Sequence, residues 1–78
     1  MRVVLDTNIL VSALLWRGTP FRCLLAVQTG LADLILSPPI LADLIVSGDR
    51  HLLELGSAAG VPVITAREFL HQLGGVRV

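Results

Sequence analysis

The sequence predicts an α/β fold built on a small, mostly parallel β-sheet, and two observations carry that expectation. Four short apolar runs, RVVL at 2–5, DLIL at 33–36, DLIVS at 43–47 and VPVI at 61–64, alternate with segments that read as helices. Glycine and proline punctuate the joints between them, at Gly18 and Pro20, Gly30, Pro38-Pro39, Gly56 and Gly74-Gly75. At 78 residues the chain has room for a single domain, spanning 1–78.

The first strand is a β-branched run that ends at an acid, Asp6. Residues 9–16 (ILVSALLW) read as a buried helix closed by Gly18 and Pro20. A second helix is expected over about 20–28 (PFRCLLAVQ), with Gly30 as its stop. The second and third strands, 33–36 and 43–47, flank the break SPP. A short helix over 50–55 ends at Gly56. The fourth strand contains Pro62, which lacks a ladder N–H and so favours a sheet edge. Thr65-Ala66-Arg67-Glu68 has the capping-box pattern, in which the Thr and Glu side chains satisfy N–H groups left free at a helix start. A last helix is therefore expected to about Leu73, and Glu68 is assigned to Thr65.

Hydrophobic residues make up 54% of the chain and the mean hydropathy is +0.80, more apolar surface than so short a chain can bury in itself. Self-association is expected. No apolar run approaches the roughly 18 residues of a membrane span, and Asp6 and Asn8 interrupt the N-terminal run where a signal peptide stays apolar. The expectation is a cytoplasmic protein with no membrane partner. Six arginines balance six acids to a net charge of zero, so any contact with nucleic acid must come from a local cluster. Cys23 has no internal disulfide partner and reads as a small buried hydrophobe. His51 and His71 lack the spacing of a zinc site, and Trp16 reads as a half-buried anchor at a helix end.

The chemistry centres on two acids. Asp6 follows the first strand directly and Asp49 follows the third (LIVSG-D), so in a parallel sheet both carboxylates emerge at its carboxyl edge, where open α/β sheets bind ligands. Two hard oxygen donors there suit Mg²⁺ or Mn²⁺, which take few carboxylates and keep several waters. Such a cation activates water against a phosphodiester. The same residues also read as helix caps, in Asp6-Thr7-Asn8 and Ser47-Gly48-Asp49. Thr7, Asn8 and Ser47 can serve both readings, capping a helix while orienting an acid. Arg17 and Arg50 lie near the ends where the acids emerge and are the expected phosphate contacts, because a guanidinium fork donates two hydrogen bonds at once.

MRVVLDTNILVSALLWRGTP resembles the opening of PIN-domain proteins, in particular the toxin components of bacterial toxin-antitoxin systems, whose first strand ends in an acid followed by Thr-Asn. ADLIVSGDRHLL with GVPVITAREFLHQL is similar to that family's closing portion of strand, acid, helix, strand and helix. The resemblance implies a three-layer α/β/α fold, here with four strands in the order 2-1-3-4. It also implies metal-dependent endoribonuclease activity on RNA, Mg²⁺ or Mn²⁺ as cofactor, and an antitoxin partner. Asp6 matches the family's first metal-binding acid and Asp49 its last.

Between those blocks the chain departs from the family pattern. Family members carry a long helical segment after the second strand, with one acid on the helix after a Ser-Pro turn and another near the start of a later helix. Here SPPILADL leads straight into the closing portion, so the central helical segment and its later acid are missing. Asp43 reads two ways: counted from Ser37-Pro38 it is the helix acid and a third metal ligand, and counted back from Asp49 it opens a strand, as Asp33 does.

Residues 31–37 (LADLILS) and 41–47 (LADLIVS) are near-copies. Loss of a segment between two similar stretches of a longer ancestor would leave such a seam, as would local duplication. Parallel strands need a crossover of about a dozen residues, whereas the six residues 37–42 reach roughly 20 Å. The connection is a stretched loop over the sheet, a hairpin bent at Pro38-Pro39, or an exchange between chains. The favoured expectation is the family-like sheet covered or completed by a second chain, in a homodimer or larger assembly. Two functions follow: a ribonuclease with Asp6 and Asp49 on the metal, or an inactive remnant that keeps only a dimerising or antitoxin-binding surface.

Overall fold

The computed structural model describes residues 1–16, 18–35 and 41–74. In chain order the elements are β1 (Arg2–Leu5), α1 (Thr7–Trp16), α2 (Thr19–Gln28), β2 (Asp33–Leu34), β3 (Leu44–Val46), α3 (Arg50–Leu55), β4 (Ser57–Ala58), β5 (Val61–Ile64) and α4 (Ala66–Gln72). Expectations for Arg17, for Leu36 as a strand end and for a bend at Pro38-Pro39 fall outside the described residues.

The sheet order is β2-β1-β3-β5-β4. Neighbours are parallel except for the antiparallel β4–β5 pair. Five strands thus replace the expected four, and the order 2-1-3-4 is corrected accordingly. The additional strand, β4, comes from a hairpin whose turn residues Ala59 and Gly60 have φ of 53° and 78°, the left-handed pair that a two-residue hairpin turn requires. It also moves VPVI from the edge to the interior. Pro62 is tolerated there because pairing with β3 begins one residue later, at Val63 opposite Ile45.

The two near-copies in the sequence become the two neighbours of β1. Val3 pairs with Leu34 of β2 and with Leu44 of β3, the same position in each copy. Equivalent residues share an environment: Ala32 and Ala42 are buried, Leu31 and Leu41 are half-exposed, and Asp33 and Asp43 are exposed. The amides of Asp33 and Asp43 donate to the carbonyls of Met1 and Arg2 at 2.8 and 2.7 Å. A hairpin between the copies is ruled out, since β1 lies between them.

Side-chain alternation sends Val3, Leu5, Leu44 and Val46 to one face of the sheet. Ile9 of α1, Cys23 and Ala26 of α2, and Ala66, Phe69 and Leu70 of α4 close the main core over them. The opposite face, with Ile45, Val61 and Val63, meets Leu52 and Leu53 of α3. Helices therefore lie on both faces, but unequally: α3 is six residues long and buries none of them fully. Phe69 is the largest fully buried side chain, and alanines fill much of the rest. The Cys23 thiol donates to the carbonyl of Ala66 at 3.6 Å, joining α2 to α4. Desolvation by burial pushes that thiol up to about 11, above its ordinary 9.0.

α1 is not the buried helix expected from its composition. Ile9 and Ala13 are buried, whereas Leu14, Leu15 and Trp16 are 76%, 66% and 79% exposed. Trp16 is therefore not a half-buried anchor. A segment apolar on every side carries no periodic signal of which side faces in, and α1 has neighbours on one side only. Among the described residues no helix is long and apolar enough to cross a membrane.

Two predictions follow from this architecture. Ala59→Asn places a residue that tolerates the left-handed region in the hairpin turn and should raise the unfolding free energy by about 0.5–1 kcal/mol in urea titrations. Cys23 should resist thiol reagents at neutral pH until the chain is denatured. Because its folded-state pKa is raised, its contribution to stability is present below pH 9 and is lost as pH rises from 9 to about 11. Cys23→Ala should flatten that fall in pH-dependent melts.

Candidate active site

Because β1, β3 and β5 run parallel, their carboxyl ends meet at one edge of the sheet. Asp6 is held there by its N–H, which donates to the carbonyl of Val46 at 2.9 Å. Its own carbonyl accepts from the amides of Ile9 and Leu10 at 2.9 and 3.1 Å and so starts α1. One strand further on, the N–H of Ser47 donates to the carbonyl of Ile64 at 3.0 Å.

The side chain of Ser47 joins the two acids. Its hydroxyl donates to Asp6 Oδ2 at 2.9 Å and accepts from the N–H of Asp49 at 3.0 Å. Asp49 Oδ1 in turn accepts from the N–H of His51 at 2.8 Å and caps α3. Ser47 is 1% exposed and is the one buried polar residue among those described. The amide of Asp49 can only donate, so it occupies a lone pair of Ser47 Oγ and leaves the hydroxyl hydrogen for Asp6. A buried hydroxyl satisfied on both sides has one orientation, and it anchors one oxygen of the Asp6 carboxylate.

Capping therefore accounts for the two acids differently. Asp49 spends a carboxylate oxygen on α3, whereas α1 starts from the Asp6 carbonyl and its carboxylate caps nothing. Among the described residues Asp6 Oδ1 has no hydrogen-bond partner. Thr7 and Asn8 lie exposed in the first turn of α1 and are bonded to neither acid. Arg50 opens α3 beside Asp49, exposed and in no ion pair among the described residues. Arg17 falls outside them.

Asp43 does not join this cluster. It lies at the opposite, amino edge, where Oδ2 accepts from the N–H of Arg2 at 2.8 Å and Oδ1 stands 3.9 Å from the Arg2 guanidinium. Ser47 is four residue steps further along the extended chain, about 13 Å away. The expectation of a third metal ligand there is corrected: Asp43 opens a strand and pins it to β1. At the carboxyl edge beyond β5, Thr65 and Glu68 engage each other. The Glu68 amide donates to Thr65 Oγ1 at 3.1 Å, the N-cap half of the box expected from the sequence, while Glu68 Oε1 accepts from the Thr65 hydroxyl at 3.3 Å and not from its backbone N–H.

The Asp6 carboxylate and, two residues past the hydroxyl that braces it, the Asp49 carboxylate are of the donor type that Mg²⁺ or Mn²⁺ takes. No group of three His, Cys, Asp or Glu side chains suited to a metal occurs among the described residues. A hollow lined by Arg67, Glu68, His71 and Gln72 runs along α4 and includes neither acid. The sequence assigns Ser47 a supporting role, and the structure makes it the residue through which both acids are linked. Its central role was encoded in the Ser-x-Asp spacing, which lets a hydroxyl accept from the amide two residues on. Comparison of the chain with family models, with curated proteins and with solved structures finds no match in any of the three.

Ser47→Ala leaves the Asp49 amide without its acceptor and the Asp6 carboxylate without its donor. It should lower stability by about 1–3 kcal/mol in urea unfolding. Asp6→Asn keeps an acceptor for the hydroxyl and should cost less.

Proposed function

We propose that the chain is a metal-dependent endoribonuclease of the PIN toxin type, with Asp6 and Asp49 as the ligands of Mg²⁺ or Mn²⁺. The observation that supports this reading best is the Asp6 carboxylate, free of helix capping and braced 2.9 Å from the buried hydroxyl that also holds the Asp49 backbone. The resemblance of the opening and closing segments to PIN toxins supports it independently. A bound cation supplies the positive charge that favours ionisation of an attacking water and offsets charge developing on the phosphodiester. The chain's own part is positional. Ser47 keeps Oδ2 of Asp6 engaged and leaves Oδ1 as the oxygen for the cation, and Asp49 holds its carboxylate at the start of α3. Arg50, beside it, donates its planar fork to an RNA phosphate. On this reading the fold is a shortened PIN-like α/β/α sandwich, the protein is cytoplasmic, and an antitoxin protein is its cognate partner.

A second reading is favoured by one observation, the lack of a third carboxylate beside Asp6 and Asp49 among the described residues. On that reading the chain is an inactive remnant that retains the core and a binding surface. Incubating the full chain with single-stranded RNA separates the two. The nuclease reading expects cleavage that needs Mg²⁺ and falls at least about 100-fold in both Asp6→Asn and Asp49→Asn. Cleavage that survives both substitutions belongs to a contaminant, and no cleavage by the native chain leaves the remnant.

A further inference from the structure

We infer that the outward face of α4 is a subsite for a nucleotide next to the one held at the acids, with Arg67 on a backbone phosphate and His71 stacked on a base. The inference takes its ligand class from the nuclease reading. α4 buries Ala66, Phe69 and Leu70. Its other side chains, Arg67, Glu68, His71 and Gln72, are all exposed and line one hollow of about 320 Å³, at the small end of ligand sites and of a size for a single nucleotide.

The pattern of these four residues selects the ligand. Arg67 and His71 stand four apart and form one stripe, and Glu68 and Gln72 form the stripe beside it. A guanidinium fork and an imidazole ring suit the two parts of a nucleotide that every sequence shares, the phosphate and the flat face of a base. A carboxylate and a carboxamide alongside suit the donors and acceptors of a base edge. Among the described residues the side chains of Arg67, His71 and Gln72 have no hydrogen-bond or ion-pair partner. Glu68 accepts from the Thr65 hydroxyl and leaves the Arg67 charge unpaired. A chain of zero net charge meets nucleic acid through such local cations. An acidic peptide would also pair with Arg67, but it brings no aromatic face for His71.

Position points the same way. β5 lies two strands from β1, about 10 Å across the sheet, and the carbonyl of Ile64 at its end accepts from the N–H of Ser47. α4 therefore starts at the edge that carries Asp6. Side chains of a helix lean toward its N-terminus, which inclines Arg67 toward that edge and sets His71 about 6 Å behind it along the axis. A strand held at the acids reaches α4 within the roughly four nucleotides that the smallest single-strand sites span.

Fluorescence anisotropy of a labelled single-stranded RNA with the full chain tests the subsite, in EDTA so that metal-dependent cleavage is off. Arg67→Ala should weaken binding about fivefold or more and lower the slope of log Kd against log salt by about 0.7. His71→Ala at about pH 8 should weaken it by a similar factor and leave that slope unchanged. His71→Phe keeps a ring and should restore native affinity. All three variants alter exposed side chains and should keep the native circular dichroism. Native affinity for RNA in either alanine variant overturns the inference, as does a loss seen only with a polyglutamate peptide. If those variants also cut RNA in Mg²⁺ as the native chain does, the nuclease reading stands without the subsite. Binding that shows these losses, with no cleavage by the native chain in Mg²⁺, keeps the subsite and removes the nuclease reading. A native chain that binds no single-stranded RNA overturns both.

Discussion

β1 is hydrogen-bonded along both edges, to β2 on one side and β3 on the other, and in the parallel sense each time. A strand held in this way cannot slip by one residue without turning Val3 and Leu5 out of the main core. Its position therefore sets the register of both neighbours, and β5 follows through β3. The carboxyl ends are aligned as a result, so Asp6 and Ser47 come within a single hydrogen bond although 41 residues separate them in sequence. The candidate site is a by-product of strand alignment. No loop has to fold around it.

What could be read from the sequence was what local chemistry decides. Helix starts and stops were legible in Asp49, in Gly56, which adopts the left-handed conformation that ends α3, and in the Thr65–Glu68 box. The parallel sheet was legible from alternation of elements, and with it the shared edge for Asp6 and Asp49. Three features were not legible. The β4–β5 hairpin turns on Ala59 in the left-handed region, where the sequence shows none of the Asn or Asp that usually announces such a turn. The outward face of α1 was hidden because ILVSALLW is apolar all round, and which side is buried depends on neighbours elsewhere in the chain. The two readings of Asp43 differed only in tertiary placement, and its contacts with Arg2 decided between them.

The two layers flanking the sheet are uneven in what they cover, and the core shows the same economy. On the side of α1, α2 and α4 the helices approach through Ala13, Ala26 and Ala66, with Phe69 filling the space that alanines leave. On the other side only Leu52 and Leu53 of the six-residue α3 pack against Ile45 and Val63. Small side chains permit close backbone approach but remove little apolar area from water, so this core gains less per residue than one built on leucine. Marginal stability is the corollary. Outward-facing Leu14, Leu15 and Trp16 are then reserves of hydrophobic area that the isolated chain leaves unused.

The near-identical strands beside β1 also pose a sorting problem for the folding chain. Both copies offer Leu-Ala-Asp-Leu-Ile to the same strand, so backbone pairing and apolar contacts barely distinguish which copy belongs on which side. The difference lies just downstream. One copy runs into Ser-Gly-Asp, which can close the hydrogen bond to Asp6 and cap α3, and the other runs into Ser-Pro-Pro, where proline has no N–H to offer. With the copies exchanged, a serine would still stand beside Asp6, but proline would replace the amide that holds that serine and the acid that caps α3. What tells the two strands apart is thus the pair of residues after the serine, Gly48-Asp49 in one copy and Pro38-Pro39 in the other.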